Sequence, residues 1–500
     1  MRDTINIPAF GGINKLHTRN LGQPSKGRNF WTRGGSLVSR DGLSLLAGTP
    51  PFTSSIKSIH TGVRAGVPSR LLVEESSRLW VRPQAGAAWT QLRSNITGSG
   101  FNSAIWKGFL LLFSGTQMLS YDIQNNTVSD ITNSGGNPVP AMQNVAVDKD
   151  IIFGWAPNFP DGHLVRFNGY TRDAQGFILG RSQNEWPPDF ALNVSGTSGT
   201  PILDVIPYRG YRYCLTQVGS HLIYGDNEND FRILQGDNIG VFRAGCSVLT
   251  GNIIIWLNFD IKGLPKVYAF SGTQPSVISL PIEELLMNED YSHVFAKAYA
   301  NQFWLIFPGF TNTNCYVYDI DEQQWYIYTL PTVLRSSTMF TEYLSSQFIH
   351  FGSQSGDITQ FFNRSMRAVG FTGGEYNSGT YNVNNYNNLG PWEVASTDLG
   401  FPITTELVLG SFSTGDRRAR LKRVWLEVEP RNNFTVQIYA TADQQPERGP
   451  FIISAVAGNT VKLGTRIHGV RGRSISVRLV TRSRVDELQQ VTLNLTRGGD

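Results

Sequence analysis

The chain predicts an all-β fold: a β-propeller of about seven blades followed by a C-terminal β-sandwich. Three features of its 500 residues point there. Charged residues make up only 16% and aromatic residues 12%, with 51 glycines, which suits strands joined by many tight turns rather than helices or a disordered chain. Aromatic or apolar pairs recur at near-regular intervals up to about residue 361. Residues 401–500 alternate apolar and polar positions in short runs. At this length two or more units are expected.

Residues 1–35 show no hydrophobic period. GGIN, NLGQPSKGRN and TRGGS read as an irregular N-terminal arm that packs on a neighbour or stays mobile. Strand character begins at Ser36, where Leu37, Val38 and Leu43–Leu46 flank an Arg40-Asp41-Gly42 turn. The propeller is expected over residues 36–370. Its third strands align on Leu79-Trp80, Ser120-Tyr121, Arg166-Phe167, Ile223-Tyr224, Val267-Tyr268, Val317-Tyr318 and Gln360-Phe361, at spacings of 41, 46, 57, 44, 50 and 43 residues. Units of about 45 residues suit propeller blades. The second strands are the apolar ones: Leu71–Val73, Phe109–Phe113, Ile151–Trp155, Tyr211–Leu215, Ile253–Trp256, Phe303–Phe307 and Phe348–Phe351. Runs buried on both faces belong in the middle of a sheet. The longest interval contains Glu185-Trp186-Pro187-Pro188-Asp189, a loop insertion.

The clearest unit runs from Val277 to Leu330. A short helical piece, Pro281 to Met287, carries Ile282, Leu285 and Leu286 on one side, and Pro281 suits a first helical residue. Four strands follow at Val294–Ala300, Gln302–Phe307, Cys315–Asp319 and Trp325–Thr329. They close in a Tyr318-Asp319-x(5)-Trp325 corner. The Tyr318 and Trp325 rings can fill the wedge between blades, and Asp319 can accept turn N–H groups.

Residues 371–400 are rich in Gly, Asn and Tyr and read as a linker or long loop. Strands return at Thr404–Leu409, Lys422–Val428, Thr435–Tyr439, Phe451–Ile453, Thr460–Leu463, Ser474–Thr481 and Gln490–Asn494, a β-sandwich over 401–500. Val424, Leu426 and Val428 face one way, while Lys422, Arg423 and Glu427 face water or a partner.

No catalytic constellation stands out: GxSxG, HExxH, GxxxxGK[ST] and the Rossmann fingerprint are all missing. Sialidase boxes are missing too; Ser355-x-Asp357 comes nearest and lacks the following Gly and Trp. The seven histidines are scattered and read as solvated or satisfied strand residues. Cys214, Cys246 and Cys315 sit in apolar strand patterns, as buried reduced thiols do. The Asp226–Asp230 run offers carboxylates at alternate positions, either for Ca²⁺ or as a solvated acidic turn. Neither an enzyme nor a resident cofactor or metal is expected.

Charge is unevenly placed. Residues 1–40 hold seven Lys/Arg against one Asp, and 401–500 fifteen against nine Asp/Glu, so each end carries +6. With a total of +4, the middle carries −8. Arg417, Arg418 and Arg420, with Lys422 and Arg423, form a basic run that either lies in a solvated loop or docks to an acidic protein ring or phosphate. Tyr376, Tyr381 and Tyr386 recur every five residues and either decorate a flexible loop or stack on bases or a sister subunit. No segment approaches about 18 consecutive apolar residues, so no membrane insertion is expected. MRDTINIPAF has no apolar run of signal-peptide length, which implies synthesis in a cytoplasm.

The order of several motifs resembles the tail hub, or nozzle, proteins of short-tailed bacteriophages, also called packaged-DNA stabilisation proteins. The motifs are Ile278-Ser279 to Glu283-Glu284, Ala296-x-Ala298-Tyr299, Trp304 to Phe307-Pro308, and Tyr318-Asp319-x(5)-Trp325. Upstream stand Asp204-Val205-Ile206, Arg209-Gly210, Leu222-Ile223-Tyr224-Gly225, Gly245-Cys246, Ile255-Trp256-Leu257 and Gly263-x-x-x-Val267-Tyr268. The resemblance is good over about residues 180–330 and loose elsewhere. It implies a structural virion protein, made in the host cytoplasm and carried in the tail. Such a protein forms a ring, hexameric by resemblance, below the portal and adaptor rings. The ring continues the DNA channel, retains the packaged genome and passes it during ejection. Partners would be sister subunits, portal or adaptor proteins, needle, plug or fibre proteins, and transiently duplex DNA. A mildly acidic body fits a channel through which DNA slides without sticking. The alternative is a receptor- or carbohydrate-binding propeller of a tail adhesin.

Overall fold

One sheet of this molecule takes its fourth strand from the other end of the chain, and that exchange organises the rest. In a computed structural model, the residues described are 2–7, 26–33, 36–39, 43–46, 52–84, 87–98, 100–133, 138–196, 199–299, 301–343, 346–361, 397–398, 401–402, 404–413, 418–428, 433–443, 445–456, 461–482 and 488–497. Among them, seven four-stranded antiparallel sheets follow one another along the chain. Their first strands are Ile56–Arg64, Asn102–Trp106, Asn144–Asp148, Ile202–Tyr208, Ser247–Thr250, Phe295–Tyr299 and Leu334–Tyr343. The seventh sheet is completed by Leu43–Leu45, which pairs with Ile358–Phe361. The fold is nearly all-β and propeller-like.

Neighbouring sheets touch through their first strands. The Ile59 N–H donates to Ser336 Oγ at 3.0 Å, joining the first sheet to the seventh. Asn102 Nδ2 donates to Asn144 Oδ1 at 2.7 Å, and the Ser247 hydroxyl to Asp204 Oδ2 at 2.5 Å. Second strands lie between neighbouring sheets, so both their faces are covered. Ile151–Trp155 and Gln302–Pro308 are buried at every position, as their unbroken apolar runs predict. All seven aromatic or apolar pairs lie in third strands.

The sixth sheet shows how the corner works. Asp319 Oδ1 accepts the N–H groups of Asp321 and Glu322 at 3.0 and 3.1 Å, closing the turn into the fourth strand. Trp325 is buried, packs on Tyr318 at 5.0 Å between ring centroids, and donates its indole N–H to Ile278 O at 2.8 Å in the fifth unit. The expected helix is one 3₁₀ turn, Leu280–Ile282, running into Glu283–Leu286, with Ile282 and Leu286 buried. The insertion after Phe167 begins with a hairpin, Tyr170–Arg172 with Ile178–Arg181. Trp186 follows, buried against Phe113 of the second sheet.

The N-terminal arm departs from expectation. Arg2–Ile7 pairs with Leu488–Arg497, Lys26–Arg28 with Thr405–Ser413, and Phe30–Arg33 with Ser36–Ser39. These segments are strands of the C-terminal unit, not an irregular arm. They are too short to show a period, but Ile7, Phe30 and Trp31 are buried and their edges are satisfied by long partners. The expected Leu37-to-Leu46 hairpin also fails: Leu37 pairs with Leu488, while Leu43–Leu45 enters the seventh sheet. The propeller-like unit therefore starts at Leu43, not Ser36.

The C-terminal residues and these N-terminal strands form one seven-stranded and one five-stranded sheet. Leu421, Val424 and Leu426 of the first share a core with Leu407, Ile438 and Val477 of the second. Every C-terminal strand expected from alternation is present. Asn29 joins the two units. Its N–H donates to Ile327 O at 2.7 Å and its Oδ1 accepts from Thr329 N at 2.8 Å, both in the sixth sheet. Its Nδ2 donates to Thr404 O at 2.9 Å. Its φ of 60° is left-handed, a conformation asparagine tolerates better than most residues. Among the described residues no helix is long and apolar enough to cross a membrane.

Candidate functional site

First strands stand innermost, so one set of their alternating side chains turns towards the axis of the sheets. Those residues border a cavity of about 450 Å³, lined from all seven sheets. His60, Ser103, Asn144, Asp204, Ser247 and Lys297 set its chemistry. Asp204 borders the open space yet is ringed by protein. Burial pushes its carboxyl up to about 7, against the Ser247 hydroxyl, the Gly245 N–H and the Lys297 charge, which favour ionisation. Lys297 is exposed to the open space, but the protein ringing it lowers its ammonium, and Asp204 opposes that. His60 is pushed down to about 3 by burial and by Lys297, so its ring is neutral above that. Beside the cavity, Glu74 is fully buried and raised by burial; it accepts from Ser58 Oγ at 2.7 Å and Phe101 N at 3.1 Å.

Two surfaces lie outside the cavity. Val218, Ile261 and Phe310 sit in the loops between second and third strands of the fourth, fifth and sixth sheets, with exposures of 67, 103 and 98%. Because the sheets repeat one strand order around the axis, these tips emerge on the same face. The second surface is basic and belongs to the seven-stranded sheet. Arg420 stands across from Arg471, and Arg423 from Arg466. Arg418 and Lys422 flank them, exposed. Like charges facing each other across strands are unfavourable. Among the described residues none of these arginines forms an ion pair.

The sequence-predicted positions divide accordingly. Arg418 and Arg420 are exposed on this basic face; Arg417, Tyr376, Tyr381 and Tyr386 lie outside the described residues. The Asp226–Asp230 run is a turn in which Asp230 Oδ1 accepts the N–H groups of Asp226 and Asn227, and Asp226 pairs with Lys149. Glu228 pairs with Arg181 at 3.1 Å and accepts from the Tyr170 hydroxyl at 3.0 Å, so the run's carboxylates are spent on the turn, a lysine and an arginine. Among the described residues no three His, Cys, Asp or Glu side chains are grouped to hold a metal. The three cysteines are buried and free. Ser355 donates to Asp357 Oδ2 at 2.6 Å in a tight loop. His60, read from sequence as satisfied or solvated, is neither: it is buried, with Nδ1 at 2.9 Å from Ser103 Oγ and no hydrogen-bond partner at Nε2. Only its place in a first strand could have flagged it.

No protein-family model matches the chain, and no curated protein matches it. Among solved structures it is similar to the WD40 domain of Pan2 from Neurospora crassa, with a TM-score of 0.41 and 6% identity over 67% of this chain and 98% of that one. An ancestral GH74 enzyme aligns at TM-score 0.41 and 10% identity over 68% of this chain, which spans about half, 51%, of that enzyme. PorZ, a surface component of the type-IX secretion system of Porphyromonas gingivalis, aligns at TM-score 0.40 and 10% identity over 77% of this chain and 44% of that one. Likeness at this level says nothing about activity or partners.

Proposed function

We propose that this chain is a structural protein of a short-tailed phage tail. It is a closed seven-bladed β-propeller carrying a two-sheet C-terminal sandwich, assembled with its copies into a ring that continues the DNA channel and holds the packaged genome. The observation that carries the reading is the basic face of the C-terminal unit. The facing pairs Arg420–Arg471 and Arg423–Arg466 cost stability in the isolated chain and are offset when an acidic partner covers them. The order of motifs from Asp204 to Trp325 supplies the kind of partner, an acidic ring of the portal or adaptor. The apolar tips at Val218, Ile261 and Phe310 offer a second contact, to a sister subunit or to a plug or needle.

The reading is tested by reversing charge where the fold does not need it. A variant with Arg418, Arg420 and Arg471 replaced by Glu keeps its melting temperature, because all three are exposed. It is expected to lose incorporation into tails. Normal incorporation refutes the docking surface, and with it this placement of the chain.

A further inference from the structure

The cavity bordered by the first strands holds donors that the fold does not use. Lys297 reaches into it, and among the described residues its ammonium makes no hydrogen bond or ion pair. The other lining cations are engaged: Lys57 donates to Gly98 O at 3.0 Å and Arg335 to Gln354 Oε1 at 2.8 Å. Asn144 is 6% exposed; its Oδ1 accepts from Asn102, but its Nδ2 has no partner. His60 is 7% exposed. In the tautomer in which the Ser103 hydroxyl donates to Nδ1, Nε2 carries the proton and is a second donor with no partner. Two buried nitrogens without a partner and an exposed ammonium without an ion pair thus belong to side chains that line one space. A buried donor left without a partner is unfavourable.

Among the lining residues the single carboxylate is Asp204, and its oxygens are held by Ser247 Oγ and Gly245 N at 2.5 and 3.4 Å. It meets Lys297 through space but makes no ion pair with it. The one lining carboxylate is thus engaged, while the Lys297 ammonium and Asn144 Nδ2 are not. A neutral polar solute would bring donors that need acceptors from the cavity; an oxyanion brings only acceptors and needs only donors.

We propose that this cavity is a binding site for a small oxyanion-bearing solute, a phosphate or carboxylate. Lys297 supplies the charge, and Asn144 Nδ2 and His60 Nε2 supply directed hydrogen bonds. At about 450 Å³ the cavity accommodates a ligand larger than inorganic phosphate, within the size range of small-molecule sites. The proposal does not rest on assembly into a ring.

The test is calorimetric titration of the full-length chain with inorganic phosphate, acetate and citrate, against chloride at matched ionic strength. Saturable heat is expected with at least one oxyanion below about 10 mM, and none with chloride. Preference for phosphate or for carboxylates then separates the two ligand sources. Lys297→Met should weaken binding about tenfold or more, while Lys297→Arg stays within about threefold. Asn144→Asp, which replaces the donor by an acceptor of equal shape, should weaken it as well; it also decides the matter if Lys297→Met fails to fold. Binding no stronger than to chloride overturns the proposal. So does unchanged affinity in both Lys297→Met and Asn144→Asp, the pattern expected of an adventitious surface ion.

Discussion

Replacing Asn29 by alanine should loosen the joint between the propeller-like and C-terminal units. The side chain accepts from Thr329 N at 2.8 Å and donates to Thr404 O at 2.9 Å. Each contributes about 1 kcal/mol net. The backbone at φ 60° adds about 1 kcal/mol for a residue with a Cβ and no local side-chain hydrogen bond. Asn29→Ala should therefore cost about 3 kcal/mol. Asn29→Gly loses the same hydrogen bonds but relieves the left-handed strain, and should cost about 2 kcal/mol. Chemical denaturation followed by tryptophan fluorescence reads both. A weakened joint is also expected to split unfolding into two calorimetric transitions, one for each unit. Both variants within about 0.5 kcal/mol of wild type, with coincident transitions, would refute the joint.

Three further outcomes are expected. Trp325→Ala removes a buried indole and its hydrogen bond to Ile278 O, and should cost about 3–5 kcal/mol; an unchanged melting curve would show that the corner is not a packing element. Gly352→Val drives a side chain into Ile56, whose Cγ2 would stand 2.4 Å from the new Cβ, and should cost about 1–3 kcal/mol by forcing the seventh sheet from the first; full stability would contradict the closure seen there. Asp204 holds its proton more tightly when folded, up to about 7, than its ordinary carboxyl near 4. Its burden is absent below about pH 4 and grows to its full value by about pH 7, so stability falls as pH rises through that window. Asp204→Asn should flatten that fall in melting temperature, and an unaltered profile would remove the assigned cause.

What the sequence reveals depends on how local the signal is. Second strands such as Ile151–Trp155 are legible because burial on both faces leaves an unbroken apolar run. The third-strand pairs set the repeat. The Tyr318–Trp325 corner is legible because the turn and its aspartate are adjacent in the chain. The N-terminal strands are not legible, because Arg2–Ile7 finds its partner only at Leu488–Arg497, and nothing near it announces that pairing. The joint at Asn29 combines a left-handed backbone with partners 300 and 375 residues away. The basic run at Arg418 and Arg420 can be read from sequence; that Arg471 faces Arg420 requires the strand register. For the cavity, Lys297, Asn144 and His60 come from three first strands whose convergence depends on closure of the sheets.

Assembly into a ring is tested by electron microscopy of the purified full-length chain, alone at micromolar concentration and on phage tails. A ring with a central hole is expected, the propeller-like bodies side by side around the axis. A chain that remains monomeric and is missing from the ring below the portal would contradict it.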